Sequence, residues 1–151
     1  MSHLVIGVIA IILFGLASLS GMYHGGDVVQ KSSATSGANT IVGHAMQISG
    51  ANNMFFLENQ AFGTVADLTV GGEYLASAPN PGNLEGNDAD NGYVVDTATG
   101  TITLDVAAAS VCESINKLAG VDVSAGIPVA ADAETQFSCY DNAGVLTFAY
   151  K

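Results

Sequence analysis

The sequence has no arginine and no tryptophan, and its lysines are confined to positions 31, 117 and 151, against 14 aspartate and glutamate residues. A formal charge of −11 over 151 residues repels phosphate backbones, so direct nucleic-acid binding is not expected at this surface. The acidity suits a solvated outer face instead. Catalytic sets are missing as well. His3, His24 and His44 fall in or beside the N-terminal third, and no Ser-x-Gly elbow, Cys–His pair or close carboxylate pair accompanies them, so no enzyme activity, metal or cofactor is expected. Asp88-Ala-Asp90-Asn-Gly92 looks like the start of a calcium loop. It fails the D-x-[DN]-x-[DN]-G spacing, and Thr99 stands where the twelfth-position glutamate belongs, so a solvated turn-rich loop is the better reading. No internal repeat and no long low-complexity tract is present.

One absence is of a different kind. Leu4 to Met22, LVIGVIAIILFGLASLSGM, carries no formal charge. At 1.5 Å per residue a helix of this length spans roughly 28 Å, close to the hydrocarbon thickness of a bilayer. We therefore assign residues 1–26 to a transmembrane or filament-core helix and 27–151 to one small globular domain of about 125 residues. Met1-Ser2-His3 supplies no basic n-region, which argues against a secretory signal despite the small-residue run Ala17 to Gly21; a single-span anchor is the plain alternative. Adjacent Gly25 and Gly26 weaken the helix by about 1 kcal/mol each, so a break is expected there. Leu4, Val5, Ile6, Val8, Ile9, Ile11, Ile12, Leu13, Phe14, Leu16 and Leu19 form its apolar surface, and Gly7, Ala10, Gly15, Ala17, Ser18 and Gly21 permit close helix approach.

From Asp27, a suitable N-cap, to Ser49 the apolar positions Val28, Ala34, Ala38, Ile41, Val42, Ala45, Met46 and Ile48 recur at helical spacing. This predicts an amphipathic half-helix over 27–49, with Gln30, Ser33, Asn39, His44 and Gln47 facing solvent or a neighbouring subunit. Gly37 and Gly43 lower its propensity, so packing must hold it. Gly50 to Asn53 should end it, and Met54 to Leu57 should anchor the connection to the core. Val65 to Leu75 reads as a short helix and a turn, Ala78 to Gly82 as a stop, and 83–92 as a surface loop. Residues 93–95 and 101–106 make a hairpin around Gly100, and 107–118 return to helix with Val111, Ile115 and Leu118 on one face and Gly120 as C-cap. Residues 136–140 and 145–150 form a second hairpin about a 141–144 turn. The fold class is α+β, a long N-terminal helix against an antiparallel sheet.

Cys112 and Cys139 are the two cysteines, both in the part placed beyond the membrane. An oxidising compartment would join them, two buried free thiols being the alternative. The bridge would close a loop of 26 intervening residues and contribute roughly 3 to 4 kcal/mol in the chain-entropy model.

Four features in this order resemble the type IV pilins, and within them the IVb branch. They are the apolar helix running into an amphipathic half, VADLTVGGEYLASAP (65–79), TITLDVAAASVCESINKLAG (101–120), and the C-terminal cysteine pair. The resemblance implies a ladle-shaped subunit with a C-terminal disulfide loop, exported as a prepilin through the inner membrane and cut by a prepilin peptidase. It makes Met1 the processed, N-methylated first residue. The assembly machinery would then polymerise the subunit with copies of itself into an extracellular pilus of the kind used in adhesion, conjugation or DNA transfer. Val5 stands where most family members carry a glutamate, and no acid precedes Asp27. The alternatives are a membrane-anchored domain binding a partner through the 83–96 loop, and a minor pilin or pseudopilin of a secretion system.

Overall fold

Residues 32–59 are helical (α1) in the computed structural model, which describes residues 32–86 and 92–151. Ala34, Ala38, Ile41, Ala45 and Ile48 are buried at alternating steps of four and three, the spacing of a helix with one apolar stripe. Met46, expected on that stripe, is 57% exposed. The helix also runs on through Gly50 to Asn53 rather than ending there. Continuation brings Ala51, Asn52 and Phe55 onto the same face as Ile48, and this packing outweighs the poor propensity of Gly50. Asn52 Oδ1 accepts from the Gly63 amide (2.8 Å), tying the far end of α1 to the chain that leaves it. The stop comes at Gln60, which turns left-handed (φ 58°) while its N–H still donates to the Phe56 carbonyl.

A capping box starts α2 (Val65–Thr69): the Thr64 hydroxyl accepts from the Asp67 amide, and the Asp67 carboxylate accepts from the Thr64 amide. A short 3₁₀ turn, Val70–Gly72, follows, and another occupies Gly82–Leu84. Strands β1 (Val94–Val95), β2 (Ile102–Asp105), β3 (Phe137–Asn142) and β4 (Val145–Tyr150) form an antiparallel sheet in the order β1-β2-β4-β3. Gly100 closes the first hairpin at positive φ, as expected. Its missing Cβ leaves room for the Phe62 ring, which would lie 2.9 Å away. Ala143 and Gly144 (φ 54° and 95°) make the two-residue turn of the second hairpin, the type I′ geometry that matches strand twist.

Helix α3 (Ala109–Ala119) joins β2 to the β3 side and ends at left-handed Gly120, which bonds back to Asn116 and Lys117. Its buried face is Val111, Cys112, Ile115 and Asn116. Leu118 is 47% exposed, because the cysteine at 112 centres the buried arc toward 112 and 116 and leaves 118 on the rim. The core lies between α1, the sheet and α3, with Leu68, Ile102, Leu104 and Phe148 fully enclosed. The architecture is therefore α+β with an antiparallel sheet. Residues 1–26 with their break at Gly25 and Gly26, and 27–31 of the amphipathic half, lie outside the described residues. Among the described ones, no helix is long and apolar enough to cross a membrane.

Candidate functional site

Cys112 and Cys139 are joined, Cα to Cα 5.3 Å, and both residues are fully buried. The bridge pins α3 to β3, an outer strand of the sheet. An outer strand has amides and carbonyls with no neighbouring strand to take them. At Cys139 the Asn116 side chain takes both: Nδ2 donates to the Cys139 carbonyl (2.7 Å) and Oδ1 accepts from the Cys139 amide (2.8 Å). Two residues on, the Asp141 amide donates to the Pro128 carbonyl (2.7 Å). Helix and loop thus cover the edge that the disulfide fixes. The buried asparagine four residues after Cys112, on a face otherwise apolar, was the available sequence signal.

His44, expected to face solvent or a neighbouring subunit, meets a side chain of its own domain. It is half-buried, with Nδ1 3.1 Å from the Tyr93 hydroxyl and the rings edge to face at 5.7 Å. Burial, with the nearby Glu85 charge, raises the Tyr93 hydroxyl well above its usual range. A protonated Tyr93 can donate to a bare Nδ1 or accept from a protonated one, so this tie between α1 and the start of β1 persists in both states. Glu85 Oε1 accepts from the Gly92 amide (2.6 Å), which draws together the described ends of the 83–96 loop; residues 87–91 lie outside the described residues.

The opposite side of α1 is unusual in composition. From Ser32 to Leu57 there is no Asp, Glu, Lys or Arg, whereas apart from Asp27 every acidic residue lies at Glu58 or beyond. Met46, Met54 and Leu57 are 57%, 55% and 75% exposed. Spacings of eight and eleven residues return them to one side of the helix, away from the buried stripe. The structure thus presents an uncharged, partly apolar helix face on a strongly anionic domain.

Near the end of α1, Phe55 and Asn59 form a groove of about 290 Å³ with Asp67, Val70, Glu73 and Tyr74. The Phe55 and Tyr74 rings meet edge to face at 5.3 Å, and the Tyr74 hydroxyl donates to Glu58. That bond and the Glu58 charge raise the Tyr74 hydroxyl above its ordinary value. No three His, Cys, Asp or Glu side chains among the described residues gather as a metal ion would require. Met1 and the eleven apolar residues from Leu4 to Leu19 lie outside the described residues. The chain matches no family model, no curated protein and no solved structure.

Proposed function

We propose that this chain is a structural subunit of a type IV pilus, of the IVb-like class, held in the inner membrane before assembly and polymerised through its N-terminal helix into an extracellular filament. The observation that carries this reading is the uncharged exposed face of α1. Copies with a charge of −11 repel one another wherever carboxylates meet, and the surface of residues 32–57 is where two helices can approach without that cost. It continues the apolar character of Leu4 to Met22, which must be covered by lipid or by other copies. The helix-then-antiparallel-sheet order and the C-terminal disulfide agree with the same reading.

Electron microscopy of the purified full-length chain tests it: filaments are expected. Ile9→Asp should abolish them, since an unpaired charge in an apolar bundle costs several kcal/mol, while the domain remains oxidised and protease-resistant. Discrete particles from the unaltered chain, or filaments undiminished by Ile9→Asp, would defeat the reading; discrete particles would favour a membrane-anchored binding domain.

A further inference from the structure

The groove at the end of α1 pairs an aromatic wall with carboxylates, a combination suited to an aliphatic ammonium. Phe55 and Tyr74 supply ring surface, and Val70, 70% exposed, supplies an apolar flank for a methylene stem. The carboxylates in and beside it are not equally available. Asp67 is taken by the Thr64 amide and hydroxyl, and Glu58 lies on the Tyr74 hydroxyl. Glu73 lines the same groove, is exposed, and has no hydrogen bond or ion pair with another described residue. It is the acid there with no hydrogen bond to compete with a cation.

Cations are scarce in this chain. Of the two described lysines, Lys151 donates to the Asp132 carbonyl, whereas Lys117, exposed in the last turn of α3, has no partner among the described residues. Lys117 cannot serve the groove of its own copy. A Cβ on Gly37 would lie 3.5 Å from Val111, so α3 meets α1 at that level. Phe55 lies eighteen residues further along α1, about 27 Å, and Lys117 is only six residues, about 9 Å, from Val111. Even with α3 aimed straight at the groove, about 18 Å would remain, far beyond a lysine side chain.

We infer that Lys117 of one copy enters the Phe55–Val70–Glu73–Tyr74 groove of the next. The inference rests on self-assembly and names a contact within it. The two patches differ, so the contact is heterologous and propagates from copy to copy, as a filament requires. An exposed ion pair adds little affinity alone, but in a body this acidic it biases register, because an approach that brings a carboxylate to the groove sets it against Glu73.

Two measurements test the contact. Full-length protein made in light and ¹⁵N-labelled forms is mixed, treated with a zero-length carbodiimide that joins an amine to a carboxylate with loss of water, and mapped by mass spectrometry. A mixed-isotope link from Lys117 to Glu73 is expected. Links from Lys117 only to other carboxylates, only within one copy, or no link at all would overturn the proposal. In the second measurement, Lys117→Glu and Glu73→Lys should each raise the protein concentration needed for assembly by about tenfold or more. Mixing the two variants should restore assembly, because every contact then again joins an amine to a carboxylate. Both residues are exposed, and an intact disulfide with an unchanged circular dichroism spectrum confirms folding. Normal filaments from Lys117→Glu, or no recovery in the mixture, would count against the contact while leaving the pilin reading in place. A Lys117–Glu73 link from protein that never forms filaments would uphold the contact and sink the pilin reading.

Discussion

Asn116 holds a position that neither a smaller nor an apolar side chain can fill. Its amide takes the N–H and C=O of Cys139 at once, acting as a one-residue substitute for a neighbouring strand. Asn116→Ala strands both groups in the interior, and a buried unsatisfied group costs about 1–3 kcal/mol. We expect the variant to lose about 2–4 kcal/mol in urea unfolding with the disulfide intact; a loss under 1 kcal/mol would show that water takes over the bonds. This role was not legible in the sequence, since it depends on a partner 23 residues away whose edge position only the topology reveals. The Cys112–Cys139 pairing was legible, because two cysteines in a chain expected to be exported leave one bridge to form within it. The His44–Tyr93 contact was not legible, because a histidine on a polar helix face gives no hint that Tyr93 will be brought to it.

At the scale of elements, α1 shows what periodicity can and cannot convey. The stripe from Ala34 to Ile48 follows from spacing alone. The run past Gly50 does not, because it is packing of Asn52 and Phe55 that overrides a local stop signal. The glycines of α1 turn this into a test. A Cβ at Gly43 or Gly50 would meet nothing within 4 Å, whereas at Gly37 it would lie 2.9 Å from Leu84 Cδ2. Gly43→Ala and Gly50→Ala should each raise stability by about 0.5–1 kcal/mol, the helix-interior difference between the residues. Gly37→Ala should gain less or lose, and equal gains at all three positions in thermal melts would contradict this packing. Helix α2 offers a second test through its cap. Thr64, by hydroxyl and then by amide, holds the Asp67 carboxyl below its ordinary 3.8. A depressed folded value means that the cap's support is complete above the unfolded value and fades as pH falls through the folded one. Carboxyl NMR should place the Asp67 midpoint below 3.8, and Thr64→Ala should return it toward that value. An unchanged midpoint would remove the capping box as its cause.

For the molecule as a whole, the disulfide closes a separation of 27 residues between α3 and β3. Replacing both cysteines with alanine should cost about 3 to 4 kcal/mol, read as a lowered urea midpoint. Mass analysis of native, non-reduced protein should find no alkylated thiol, and two alkylated cysteines would refute the bridge. The α+β class was legible from the switch in periodicity after residue 92, while the strand order, with β4 between β2 and β3, was not, because hairpins specify neighbours but not how they are laid side by side. The sheathing of that sheet has a wider consequence. One margin is the two-residue strand Val94–Val95, and the other is stopped by Asn116 at Cys139 and by the Pro128 carbonyl at Asp141. A molecule that crowds against its own kind at high density runs the hazard of strand-by-strand accretion, the route to cross-β aggregates. With Cys139 and Asp141 of its outer strand already bonded from within, the domain leaves less backbone for a stray strand to copy, so copies that met through helices and side chains, as the pilin proposal requires, would meet away from the margin where amyloid-like growth begins.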